Sequence, residues 1–262
     1  MVNTFPVRSC FEFCSTDKEA PQPCPRGGRR SRAWTFVACA AFGALFTLTS
    51  CETTLIDKLY AARNGDPEDM REAIVGIGEV LYSMEQNGVP YNKAALEAVE
   101  YLKEIVTSKA DPLNRAQALA ALASLTRPKV GELFVISLRD RFWLVRYEAA
   151  RGISTNPSPE MTDPVIEQIH RETQSEVRVE LVKALTTLGH DAALETLLAL
   201  LLDGTGRYDT VKLMVWEGVV EFSGKEFPLE DYGSWKKYSQ ERFPKTIKGN
   251  DGKPSTHSDT AQ

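Results

Sequence analysis

One short pattern returns along this chain, and it constrains the fold more than any other feature. A basic residue is followed by apolar residues three, four and seven positions later at Arg115 (Ala118, Leu119, Leu122), Arg146 (Ala149, Ala150, Ile153), Arg178 (Leu181, Val182, Leu185) and Lys212 (Val215, Trp216, Val219). The basic residues are 31, 32 and 34 positions apart, and a looser copy at Arg71, with Ile74, Val75 and Gly78, lies 44 residues before Arg115. Such spacing places the apolar residues on one stripe of a helix. Between the copies lie further apolar segments, roughly 129–138, 160–172 and 191–202, and strand signals are almost absent. The turns agree: Asp66-Pro67 and Asp111-Pro112 set an N-cap before a proline at the first helical position, and Gly189 closes a helix. Helices of this length, joined by short turns and repeated at about 30 residues, cannot bury their stripes singly and must stack. The expected fold is all-α, an α-solenoid of four to five antiparallel helix pairs.

The pattern Asp-x-x-Val-Arg-x-x-Ala-Ala, loose in Asp111 to Leu119 and closer in Val145-Arg146-Tyr147-Glu148-Ala149-Ala150, resembles the second helix of a HEAT repeat over about residues 66–225. The resemblance implies a structural role for the recurring basic residue, as a bridge to a turn aspartate of a neighbouring unit. Arg71, Arg115, Arg146, Arg178 and Lys212 would then form a ladder, with Asp111, Asp140 and Asp209 as available partners. The sequence departs from the pattern in its long first unit, in Lys212 standing for arginine, and in the bulky Phe142-Trp143 turn. After the last copy, Phe222-Ser223-Gly224-Lys225-Glu226-Phe227 and Asp231-Tyr232-Gly233-Ser234-Trp235-Lys236-Lys237-Tyr238 resemble the closing segment of bacterial HEAT-type arrays. Physically this is a cap, because a last unit without one leaves its apolar face in water.

The cysteines carry the second constraint. All five (Cys10, Cys14, Cys24, Cys39, Cys51) fall in the first 51 residues. A basic cluster, Arg26, Arg29, Arg30 and Arg32, precedes an uncharged apolar run from Ala33 to Leu48, the order of an export signal. That run is short for a membrane span of about 20 residues. Leu48-Thr49-Ser50-Cys51 then resembles the lipobox of bacterial lipoproteins. The resemblance implies a diacylglyceryl group on the Cys51 thiol, cleavage before it, and acyl chains that fix the mature protein to a membrane, by default the outer membrane and otherwise the cell membrane, on the periplasmic or surface side. The expected organisation is a removed leader (1–50), an acylated N-terminus and linker (51–65), a HEAT-like repeat domain with its cap (66–244) and a disordered polar tail (245–262). Residues 51–262 hold 25 basic and 33 acidic side chains, net −8, so membrane contact is expected from the lipid and not from a basic face. The acidic balance also argues against nucleic acid as a partner.

Nothing in the sequence assembles into an active site. His170, His190 and His257 have no second histidine at helical spacing, and no metal site or cofactor is expected. There is no Gly-x-Ser-x-Gly elbow and no glycine-rich phosphate loop, and Asp203-Gly204-Thr205-Gly206 reads as a helix-ending turn. Phe142, Trp143, Tyr147 and Trp216 are candidates for either a ligand surface or seam packing. The expected function is a lipid-anchored scaffold of the cell envelope that binds a protein partner and is not an enzyme. The competing expectation is a HEAT-like lyase, such as those that attach bilins to cysteines, or an enzyme-associated regulatory repeat protein. Such a lyase works beside its acceptor in the cytoplasm, so a working export signal separates the two.

Overall fold

The computed structural model describes residues 54–244; Cys51, the leader and the tail 245–262 lie outside the described residues. The described chain forms eleven helices and no strand: α1 (54–64), α2 (Pro67–Gln86), α3 (Lys93–Thr107), α4 (Pro112–Ala123), α5 (Gly131–Ser137), α6 (Trp143–Thr155), α7 (Thr162–Arg171), α8 (Ser175–Leu188), α9 (Asp191–Leu202), α10 (Lys212–Ser223) and α11 (Tyr232–Arg242). The starts follow from local chemistry. Asp66 accepts from the backbone N–H groups of Glu68 and Asp69, Asn92 from Ala95 and Asp111 from Leu113, so free donors at three helix starts are satisfied by side chains. Gly189 and Gly224 end α8 and α10 in the left-handed region, at φ 67° and 64°.

The helices pair as α3/α4, α5/α6, α7/α8 and α9/α10, and the second members stack in one continuous row, α2 on α4 on α6 on α8 on α10. This is an α-solenoid. Its core is a single cluster running from Leu55 to Trp235, in which the repeated apolar positions Leu119, Leu122, Ala149, Ile153, Leu181, Leu185, Val215 and Val219 are all fully buried. Helix α9, with Leu194, Leu197, Leu198 and Leu201 buried, is nearly surrounded: α10, α8, α7 and α11 all pack against it. The cap is α11, whose Trp235 is completely buried between Phe227 and Tyr238, at ring separations of 5.0 and 6.4 Å. Its indole N–H donates to the Pro228 carbonyl at 3.0 Å.

Two elements differ from the sequence expectation. The segment 51–65, expected as a linker, contains α1 from residue 54, with Leu55, Leu59 and Ala62 in the core. Their i, i+4, i+7 spacing is an apolar stripe, and it lies on the far side of the turn Gly65-Asp66-Pro67 that seemed to open the array. The 44-residue gap after Arg71 is filled by a long α2 and by the complete helix α3.

Candidate interaction face and its ladder

The recurring basic residues lie near the start of each second helix, so every one emerges beside the turn that precedes it. Arg115, 7 % exposed, donates to its own turn through Nη1 to the Ala110 carbonyl at 2.6 Å, and through Nη2 to both carboxylate oxygens of Asp140 in the next turn, at 3.1 and 2.9 Å. Arg146 repeats the arrangement one unit on. Nη1 donates to the Asp140 carbonyl at 2.8 Å, while Nε and Nη2 fork onto Glu172 at 2.7 and 2.8 Å. Arg178 reaches back with Nε and Nη2 to the Glu172 carbonyl at 3.1 and 2.8 Å and forward with Nη1 to the Arg207 carbonyl at 2.7 Å, over the Tyr208 ring. Lys212 lies 3.7 Å from Asp209 and over the ring of Tyr232 in the cap helix. At the other end Arg71 donates through Nε to Asn114 Oδ1 at 3.3 Å. Arg115, Arg146 and Arg178 therefore each grip their own turn and that of the following unit, while Arg71 reaches across to α4 and Lys212 to the cap helix α11.

Of the expected partners, Asp140 takes Arg115, whereas among the described residues Asp111 caps α4 without an arginine and Asp209 lies beside Lys212. The carboxylates that matter are Asp140 and Glu172, each six residues before the next arginine. At the corresponding place before Lys212 the chain has Gly206, φ 76°, so Arg178 is left with carbonyls instead of a carboxylate. Glu172 was not legible as a partner, and the six-residue offset it shares with Asp140 is the signal that finds it. Its side chain is 1 % exposed, and burial works to raise its carboxyl. The Arg146 fork, Gln168 and the N–H groups of Gln174 and Thr173 outweigh that and hold it down at about 2. The opposite edge of the array has ties of its own: Glu85 accepts from the N–H groups of Thr126 and Arg127 and from the Tyr91 hydroxyl, and Asn156 donates to the Ala123 carbonyl.

With the ladder engaged internally, the outward stripe of the same helices is a separate surface. It presents Glu72, Val75, Glu79 and Tyr82 on α2, Leu113, Gln117 and Ala120 on α4, and Leu213, Glu217 and Glu221 on α10, all exposed or half-buried. Beside this stripe, Glu148 pairs with Arg151 at 2.7 Å and the buried Glu180 with Lys183 at 2.6 Å, at matching places in α6 and α8, and the half-buried Tyr147 immediately precedes Glu148. Burial pushes the Glu148 carboxyl up against the pull of Arg151. Trp143 is 39 % exposed at the start of α6 and belongs to the accessible surface, whereas the Trp216 N–H donates to the Phe227 carbonyl at 2.8 Å inside the cap. An open cleft of 710 Å³ near the cap is lined by Ala199, Leu202, Tyr232 and Phe243, with Lys212 and Lys236. In the turn 203–206, Thr205 donates to Asp203 at 2.6 Å, a local link that closes the loop on itself. Among the described residues no three His, Cys, Asp or Glu side chains group as a metal site, and no helix is long and apolar enough to cross a membrane.

Residues 131–212, from the first residue of α5 to the first of α10, match the family described as HEAT repeats. No curated protein matches the chain. Among solved structures, an engineered protein is similar at 19% identity and a TM-score of 0.45, covering 74% of this chain and 94% of that one.

Proposed function

We propose that this chain is a non-catalytic scaffold, exported and held to a bacterial envelope membrane by a lipid on Cys51, that binds a protein partner along the outward stripe of its second helices. One contrast carries the reading. Positions engaged in stacking repeat from unit to unit, while the positions two and five beyond the ladder residue differ: Ala73 and Gly76 in α2, Gln117 and Ala120 in α4, a Glu–basic pair in α6 and α8 (Glu148 and Arg151, Glu180 and Lys183), then Met214 and Glu217 in α10. What every unit needs recurs, and what a single partner reads varies along the row. HEAT repeats commonly mediate protein interactions, which agrees with the match over residues 131–212.

The test uses the full-length chain in its own envelope. Photo-crosslinking residues at Glu79 and Glu217 should capture the same protein band, and one at the outward position Ile136 of α5 should not. Equal capture from all three positions, or from none, overturns the binding-face reading. The anchor is tested separately: Cys51→Ser should leave an unprocessed precursor without palmitate label, and equal labelling of variant and parent rejects lipidation at Cys51.

A further inference from the structure

The described body begins close to the residue proposed to carry the lipid. Residue 54, the first of α1, is three peptide units beyond Cys51, and three units of chain reach about 10 Å at full extension. Helix α1 is also no free-swinging tether. Leu55, Leu59 and Ala62 are 1, 5 and 0 % exposed in the core, the Tyr101 hydroxyl on α3 donates to the Ala62 carbonyl at 2.7 Å, and Arg63 pairs with Glu97 on α3 at 2.9 Å. A lipid inserted at Cys51 therefore draws the rigid array itself down to the headgroups.

What α1 offers there is specific. Ile56 is 51 % and Tyr60 71 % exposed, and at i, i+4 they form one ridge on the side of the helix away from the core. Among the described residues nothing covers this ridge. Tyrosine, apolar with a polar tip, is a type enriched at bilayer interfaces, and an adjacent isoleucine adds apolar area to bury at the headgroup–acyl boundary. The net charge of −8 over residues 51–262 and the exposed Asp57 beside Ile56 set this apart from adsorption on anionic lipid. Resting on the reading that Cys51 is acylated, we infer that the solenoid stands directly on the bilayer through α1, with Ile56 and Tyr60 seated at headgroup depth as a second, non-covalent contact with the lipid surface.

The sequence supplies its own means of testing this. Residues 52–262 contain no cysteine, and acylation blocks the Cys51 thiol, so one introduced cysteine takes one nitroxide label. The variants are Tyr60→Cys on α1, Tyr82→Cys on α2 and Ile136→Cys on α5, all at exposed positions, in full-length acylated protein reconstituted into phosphatidylethanolamine/phosphatidylglycerol vesicles. The label at 60 should collide with a water-soluble nickel chelate several-fold less often than those at 82 and 136, and more often with oxygen. Equal chelate access at all three positions, on protein shown by mass spectrometry to be acylated, overturns the seating and leaves the anchor intact. An unacylated Cys51 overturns the anchor and this inference with it.

Discussion

Glu172 is the residue on which most of the ladder's charge converges. It receives the Arg146 fork and the Gln168 amide, two backbone N–H groups cap against it, and its carbonyl holds Arg178. Removing Arg146 leaves that carboxylate buried and uncompensated, so Arg146→Ala should cost about 3 kcal/mol of stability, read from denaturant melts. Arg178→Ala gives up hydrogen bonds to carbonyls only, and should cost about 1–2 kcal/mol. Unchanged midpoints in both would mean that these side chains serve a partner and not the stack. The pH dependence has a definite sign. Because the folded-state carboxyl lies at about 2, below its ordinary 4.5, its contribution is fully present above pH 4.5 and disappears as the pH falls from there towards 2. That loss amounts to about 3 kcal/mol, and Glu172→Gln should flatten the corresponding part of a stability profile. The rung positions were legible because they recur, and Asp140 was legible among their partners; Glu172 was not, and Asp111 could not be set aside, because only side-chain direction separates a cap from an acceptor.

Where two helices meet closely, the contact is set by what one of them lacks. A Cβ added to Gly152 of α6 would fall 2.5 Å from the ring of Phe134, the fully buried anchor of the seven-residue α5. Alanine gains up to about 1 kcal/mol in helix propensity over glycine. Overpacking a rigid core costs about 1–3 kcal/mol. Gly152→Ala should therefore destabilise by about 1–2 kcal/mol, measured by calorimetry, whereas a helix free of Phe134 would be stabilised by the same change. At this scale the sequence was readable where a stripe came with its turn signals, as in α4, α6 and α8. It was opaque for α1, whose Leu55, Leu59 and Ala62 adjoin the leader, and for α3, which lengthens the first interval beyond the repeat.

Across the whole molecule the row of second helices must end somewhere, and at the C-terminal end it ends on aromatic rings. Trp235→Ala empties the cap interior and should cost about 3–5 kcal/mol, with the loss of hydrogen-exchange protection beginning in α10 and α11. Protection lost evenly along the array would show instead that it melts as one cooperative block. The cap was legible because Phe227, Trp235 and Tyr238 cluster after the last repeat in an otherwise polar stretch. The ladder's forward reach also bears on how such a chain changes in length. If the stretch Asp140 to Arg171, 32 residues, were copied in tandem by recombination, Arg115 would meet the first Asp140, the first Arg146 would meet the second Asp140, and the second Arg146 would meet Glu172. Each arginine at the junctions finds a carboxylate, so whole units can be gained or lost without unpairing the ladder, each moving whatever the far end holds by about 9 Å.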